Sequence, residues 1–214
     1  MIKMEEYILD QNIQQIKIVT ADPSALGLFG LAMVTLEASS QKLGWTEGVL
    51  LMIPWAIFLG ATAQFIACIY DFKRNNVFGA TAFGGYAMFW YAVALNWMIS
   101  GGVFGAKVAA AADPRQLGFA FVGYLFFSLF MTVGAMEASR VLLIIFIFID
   151  SLFIGLAFST FGVAPEFFHA LAGWSEYAIA IMAFYGSAAS VLNSFFDKPL
   201  LPVGRPLGIF KSHH

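Results

Sequence analysis

Charged side chains are scarce in this sequence. Lys, Arg, Asp and Glu together make up 11% of its 214 residues, whereas 60% of the residues are hydrophobic. A soluble globular chain carries about 25% charged residues, which it needs to cover its surface with polar groups. A chain with so little charge cannot form that surface. The composition therefore excludes a soluble domain and predicts an integral membrane protein.

Cysteine, basic runs and catalytic motifs are also lacking. Cys68 is the only cysteine, which excludes an intrachain disulfide and a cysteine-based metal cluster. The eleven basic and thirteen acidic residues give a net charge of -2, without a basic run suited to a row of phosphates, so we expect no nucleic-acid partner. Neither a Gly-x-Ser-x-Gly nor a His-Glu-x-x-His motif occurs. We expect no enzymatic activity, cofactor or metal.

Six apolar stretches are long enough to cross a bilayer, for which a helix needs about 20 residues. Four of them contain no Asp, Glu, Lys or Arg. The first and the fifth each contain an acid, Glu37 and Asp150. The predicted spans are residues 25–43, 48–70, 75–106, 116–136, 141–162 and 177–196. The sequence therefore predicts an all-α membrane protein with six transmembrane helices.

These spans predict a single transport domain, residues 23–197. Residues 1–22 are polar with apolar positions at helical spacing, which favours a short surface helix, and the Pro- and Gly-containing tail 198–214 should be irregular. An even number of spans places both termini on one side. That side carries eight basic residues and the other three, so the positive-inside rule predicts cytoplasmic termini in the cell membrane.

The start of the first span combines Asp22, a helix-capping residue, with Pro23, which is favoured in the first turn. Free backbone N–H groups at such a start, near Leu26 and Gly27, attract carboxylates. Capping alone is the simpler interpretation of this motif, and anion binding is the alternative.

The third span opens with polar and small residues rather than leucines. Asn76, Thr81 and Tyr86 bring polar groups into it, while Ala80 and Gly84 permit close helix approach. The pattern indicates that this helix faces a pore or packs tightly on protein. Further polar side chains within the predicted spans, each able to hydrogen-bond between helices, are Gln64, Asn96 and Asn193.

Asp150 lies ten residues after Arg140, about 15 Å along a helix and close to the middle of the membrane. An ionised carboxylate there is costly unless it faces water or a partner, and Arg140 is too far away to pair with it. Asp150 is therefore predicted either to be a neutral group bonded to a neighbouring helix or to take part in proton movement.

Several motifs occur together in a fixed order. Residues 22–28 keep the first proline and the Leu-Gly-Leu of the signature Asn-Pro-Ala-Pro-Leu-Gly-Leu, and residues 71–76 are similar to Glu-Phe-Lys-x-Gly-Asn. The segment Phe-Gly-Ala-Thr-Ala-Phe at 78–83 is the most specific match, and Leu-Pro-Val-Gly at 201–204 follows. Over residues 22–204 the chain thus resembles the acetate uptake transporter family, the succinate–acetate permeases.

The resemblance implies a six-helix protomer, a hexameric ring, and one pathway per protomer for acetate and, in some members, succinate. The family narrows its pathway with bulky side chains, and the matching positions are Leu31, Tyr86 and Ile149. Leu31 replaces the typical phenylalanine, and Asp150 stands where close relatives have a small hydroxyl residue. Residues expected to contact the substrate are Leu26, Gly27, Gln64, Asn76, Thr81 and Tyr86.

The leading hypothesis is transport of acetate or other small carboxylates through a hydrophobic constriction, by a channel or by proton symport through Asp150. A channel for a neutral solute or a cation is the first alternative, because Asp22, Glu37 and Asp150 would attract a cation. A membrane sensor without flux is the second alternative, supported by the polar residues 1–22.

Overall fold

The computed structural model describes residues 20–210, in which every regular element is a helix. The predicted surface helix falls on residues outside this range, and residues 198–210 contain no helix. The helices are α1 (Ser24–Lys42), α2 (Ile53–Lys73), α3 (Val77–Ser100), α4 (Ala106–Ala111), α5 (Arg115–Ala135), α6 (Arg140–Thr160) and α7 (Pro165–Phe195). The predicted all-α fold is confirmed.

Six of these helices are long, and α2, α3, α5, α6 and α7 have the length and the apolar composition needed to cross a membrane. Helix α1 has 19 residues, about 28 Å at 1.5 Å per residue, and packs mainly on α7. The short α4 lies between α3 and α5 in the chain. The long helices fall on the six predicted spans.

Two predicted boundaries are wrong. The third span was expected to continue to residue 106, but α3 ends at Ser100, before Gly101 and Gly102. The last span was expected to begin at residue 177, but α7 begins at Pro165 and has 31 residues. The absence of charge does not mark the first part of α7, because this part contains Glu176. That side chain lies in the protein interior and is paired with Lys42.

Small residues bring the helices together. At Gly30 of α1, a Cβ atom would lie 3.1 Å from the Cβ of Ala63 in α2. At Gly155 of α6, a Cβ would lie 2.8 Å from the backbone nitrogen of Ala172 in α7. Membrane helices associate through such close backbone approaches, since lipid supplies no hydrophobic drive for helices to meet.

The non-helical tail folds back onto the end of the bundle where α6 begins. The backbone N–H of Val141 donates to the carbonyl of Val203. Asn193, which was expected to bond between helices, instead bonds both the carbonyl and the N–H of Leu201, each at 2.8 Å. The tail thereby fixes the end of α7 beside α6.

Candidate functional site: a cavity between α1, α2, α3 and α6

A narrow cavity lies inside the bundle, lined by α1, α2, α3 and α6, and we call it the central cavity. Its volume is about 80 Å³, enough for a few water-sized molecules at about 10–15 Å³ each. Its walls include five residues that the sequence singled out: Leu31, Gln64, Asn76, Tyr86 and Ile149. The described residues that line it include no Lys or Arg. A bound anion would therefore meet only neutral side chains.

The three expected constriction residues come from three helices and lie together on this cavity. Leu31, Tyr86 and Ile149 are only 6%, 5% and 3% exposed. Two of the three side chains are aliphatic, so a constriction at this point would be an apolar collar. Such a collar favours small, weakly hydrated solutes because a fully hydrated ion cannot shed its water there cheaply.

Tyr86 is held firmly in place. Its hydroxyl lies 2.6 Å from that of Ser128 in α5, and its ring is stacked on Phe153, with ring centroids 6.5 Å apart. Phe127 of α5 packs edge-on against the same ring at 5.4 Å. The hydroxyl is therefore positioned by α5, a helix that does not line the cavity.

Gln64 follows directly after an irregular part of α2. Residues Ala56–Ala63 form a π-helix, a widening that often marks functional sites. The Gln64 Nε2 donates to the carbonyl of Gly60 at 2.6 Å, whereas Oε1 is buried and has no hydrogen-bond partner in the described part of the chain. Because Gly60 supplies an acceptor, Nε2 must face it. This residue of the cavity lining therefore keeps one unpaired acceptor.

Asn76 caps α3. Its Oδ1 accepts from the N–H of Gly79 at 3.1 Å, and its Nδ2 donates to the fully buried Asp71 at 3.0 Å. Asp and Asn are favoured at this helix position because they satisfy the first free N–H groups. One N–H of the Asn76 amide is left for a substrate.

Asp22 lies at the same end of the bundle and accepts a hydrogen bond from the N–H of Ser24 at 3.0 Å. Helix α1 begins at Ser24, so Pro23 occupies the cap position and not the first helical position that the sequence predicted. Asp22 also lies 2.8 Å from Arg74. Burial alone would raise the pKa of Asp22, but the hydrogen bonds from Ser24 and the charge of Arg74 outweigh it and bring the pKa below its usual value.

Three expected substrate contacts lie outside the cavity lining. Leu26 is 41% exposed, and Thr81 lies on the exposed side of α3. Gly27 is buried against Phe83, and its N–H already donates to the carbonyl of Pro23 at 3.1 Å. That N–H is consequently not free to bind a carboxylate.

Asp150 lies next to Ile149 on α6, beside the cavity and outside its lining. Thr132 of α5 donates to its Oδ2 at 2.7 Å, and Oδ1 is buried and has no hydrogen-bond partner among the described residues. Sequence reasoning missed Ser128 and Thr132, although two hydroxyl residues four apart on an apolar helix would have suggested them. It also missed the buried carboxyl of Asp71.

A second cavity, about 440 Å³, lies at the opposite end of α1 and is more open. Glu37, Glu47 and Trp55 contribute to its walls. The Glu37 Oε2 is buried and has no hydrogen-bond partner among the described residues. Both acids give this end of the protein a negative character.

Comparison with known proteins identifies the family. A family model described as the GPR1/FUN34/yaaH family matches residues 9–205. The chain belongs to this family. The resemblance inferred from the motifs is thereby confirmed.

Several relatives of this GPR1/FUN34/yaaH family member are named as transport proteins. The chain is 33% identical over 187 residues to the succinate-acetate/proton symporter SatP of Escherichia coli strain K12. The aligned region covers 86% of this chain and 95% of the relative. It is 26% identical over 213 residues to acetate permease A of Emericella nidulans, covering 86% of this chain and 69% of the relative. The structure of the bacterial acetate channel SatP matches with a TM-score of 0.80 at 28% identity, covering 87% of this chain and all of that one.

Proposed function

We propose that this protein transports acetate, and other small carboxylates such as succinate, across the cell membrane. The observation that carries the proposal is the central cavity, which is lined by Leu31, Tyr86 and Ile149 inside a bundle similar to that of an acetate channel. Relatives named as acetate and succinate transporters support the same substrate class. The family consists of transporters and channels, so the protein is not an enzyme.

The substrate class follows from the polar groups that the cavity offers. Gln64 presents a free acceptor and Asn76 one free N–H, and the lining contains no basic side chain. A protonated carboxylic acid can donate its O–H to the first group and accept from the second. The apolar collar favours acetate over succinate, which is larger and has a second carboxyl group, because each unmatched buried charge costs several kcal/mol. We propose that the carboxylic acid binds weakly to Gln64 and Asn76. Weak binding is compatible with fast passage through the protein.

The coupling mode depends on Asp150. This acid lies beside the constriction, and one of its oxygens has no described partner. We propose that Asp150 exchanges the proton that accompanies the substrate, which would make transport a symport and not a purely passive flux. Proton relays in membrane proteins commonly use such acids, since a charged group in that position is otherwise costly.

The assembly is part of the same proposal. The protein is a multi-pass membrane protein, and we propose that it forms a homohexamer with one pathway per protomer and with both termini in the cytoplasm. The family resemblance supports the hexamer, and the eight-to-three distribution of basic residues supports the orientation. Native mass spectrometry of the detergent-solubilised protein would show six copies, and protease protection in oriented vesicles would locate the termini.

The test is uptake of labelled acetate into proteoliposomes at several external pH values, with and without a proton uncoupler. Uphill accumulation that the uncoupler and Asp150→Asn both abolish establishes proton symport. Downhill flux that ignores the uncoupler establishes a channel and removes the coupling role of Asp150. Folded protein without acetate flux contradicts the proposed function.

The second cavity favours one alternative. Glu37 and Glu47 would attract a cation or a neutral solute with donor groups at that end. Ion-replacement currents distinguish the two functions: a current carried by cations and unaffected by acetate supports the alternative. Deleting residues 1–22 tests the sensor hypothesis, because unchanged transport together with lost signalling would favour a sensor.

A further inference from the structure

Four polar side chains from three helices meet beside the central cavity, in surroundings that are otherwise apolar. They are Tyr86 of α3, Ser128 and Thr132 of α5, and Asp150 of α6, and we call them the hydroxyl–carboxyl cluster. Tyr86 and Ser128 are joined at 2.6 Å, and Thr132 and Asp150 at 2.7 Å. Thr132 also bonds the carbonyl of Ser128 at 3.0 Å, so the two pairs lie next to each other.

Each hydroxyl has a single hydrogen, and this limits the arrangements of the cluster. Thr132 directs its hydrogen to Asp150 Oδ2, with the Ser128 carbonyl at 3.0 Å as a second acceptor. The hydrogen between Tyr86 and Ser128 can belong to either hydroxyl. Which hydroxyl donates this hydrogen depends on whether Ser128 donates to the Asp150 carboxyl or accepts from it.

The protonation of Asp150 selects between two arrangements. An ionised carboxyl can only accept hydrogen bonds. If Ser128 donates to it, Ser128 must accept from Tyr86, and the Tyr86 hydrogen is held away from the cavity. When the carboxyl is protonated, it can donate to Ser128 through the unpartnered Oδ1. Ser128 then donates to Tyr86, and the Tyr86 hydrogen is released toward a substrate oxygen in the cavity.

We infer that Ser128 is a positioning residue that couples the proton on Asp150 to the hydrogen-bonding state of the Tyr86 gate. The inference rests on the proposed function and deepens it, because it names how the acid communicates with a constriction it does not line. Substrate that reaches Tyr86 meets a donor only after Asp150 has taken up its proton.

Other ionisable groups do not replace Asp150 in this role. Tyr124 of α5 stacks near Tyr86, with ring centroids 6.4 Å apart, and its hydroxyl donates to the carbonyl of Gly85. On α7, which also packs on α6, Glu176 is paired with Lys42 and the Tyr185 hydroxyl donates to the carbonyl of Pro202. Among these groups, Asp150 is thus the acid next to Ser128, since Thr132 bonds both residues.

The experiment compares downhill acetate flux of Ser128→Ala with that of the parent from about pH 4, the ordinary range of an Asp carboxyl, to about pH 8. The fraction of acetate that is protonated changes with pH, but it is the same for variant and parent. The ratio of variant flux to parent flux at each pH is therefore independent of it. Ser151→Ala is the matched control, because the Ser151 hydroxyl is next to Asp150 in sequence but donates to the carbonyl of Ile147.

In Ser128→Ala, Tyr86 is no longer held by an ionised Asp150, so the ratio is expected to rise with pH by about two- to tenfold, the equivalent of one hydrogen bond. Asp150→Asn is expected to give the same rise, and the double variant no further change. The ratio for Ser151→Ala is expected to stay constant. Should Ser128→Ala fail to fold, Tyr86→Phe breaks the other end of the cluster and must remove the same pH dependence.

A ratio for Ser128→Ala that is constant across the pH range overturns the inference, because a purely structural defect lowers flux equally at every pH. A double variant whose effects simply add also overturns it. Absence of acetate flux in the parent is a different result, since it contradicts the proposed function itself.

Discussion

Lys42 Nζ lies 2.8 Å from Glu176 Oε2, which ties the last residue of α1 to the interior of α7. The Glu176 side chain is 3% exposed and that of Lys42 is 13% exposed. Both charged groups are largely buried, so each depends on the other for its stabilisation. The pair joins residues 134 positions apart in the chain.

Lys42→Met is expected to destabilise the protein by about 3–5 kcal/mol, because it leaves the buried Glu176 without its partner. The double variant Lys42→Met, Glu176→Gln is expected to recover most of that loss, since neither charge remains. Chemical unfolding of the four proteins in detergent measures the coupling. Additive effects of the two substitutions would show that the contact contributes little.

Gly79→Ala should disturb the entrance of the central cavity. A Cβ there would lie 2.5 Å from the Asn76 Nδ2 and also meet the Asp71 carboxylate, so the Asn76–Asp71 bond must shift. We expect a loss of about 1–3 kcal/mol, typical of overpacking, together with reduced acetate flux. Gly123→Ala is the control, as open space surrounds that position. Equal effects at both positions would contradict the prediction.

Gln64→Met is expected to separate binding from stability. It removes a buried acceptor that has no described partner, but also the hydrogen bond from Nε2 to the Gly60 carbonyl. Because these two effects oppose each other, the free energy of unfolding should change by less than about 1 kcal/mol. The KM for acetate should rise about two- to tenfold if the acid donates to this oxygen. Gln116→Met, at an exposed position on α5, should change neither quantity. An unchanged KM in Gln64→Met would remove this residue from the proposed site.

Leu31 should set the size limit of the constriction. Leu31→Ala is expected to raise flux of larger carboxylates relative to acetate by about tenfold or more, since one methylene in an apolar pocket changes selectivity by about 10–200-fold. Leu31→Phe should shift the ratio the other way. Competition assays between acetate and longer monocarboxylates measure it. The exposed Leu51→Ala serves as control, and a matching shift there would argue against a gate at Leu31.

The Asp22–Arg74 pair predicts a dependence of stability on pH. Because the folded-state pKa of Asp22 is below its usual value, its stabilising contribution is present above the ordinary Asp pKa of about 3.9 and is lost as the pH falls through the folded-state value. Asp22→Asn should therefore destabilise at neutral pH by under about 1 kcal/mol, as the pair is partly exposed. The difference should vanish in acid, as unfolding curves at neutral pH and about pH 3 would show. A difference that persists in acid would contradict the ion pair as its cause.

Much of the fold could be predicted because it depends on local composition. Charge-free stretches located most of the long helices, and the motif around residues 78–83 led to Tyr86 and to the family. The absence of charge did not locate the first part of α7, because that part contains an acidic residue. Glu176 interrupts the apolar pattern, and its burial depends on a lysine from a distant helix.

The sequence by itself determined that the chain spans a membrane with long helices, since its apolar stretches are long enough to cross a bilayer and its charged residues are too few to cover a soluble surface. It also singled out Asp150, and the family resemblance pointed to Leu31, Tyr86 and Ile149. Only the tertiary structure decided that Gln64 keeps a free acceptor, that Leu26 and Thr81 lie outside the cavity lining, and that Asp150 is bonded to Thr132. Those facts depend on how far each helix is rotated and on which neighbours it meets, and contacts between distant segments leave no local pattern in the chain.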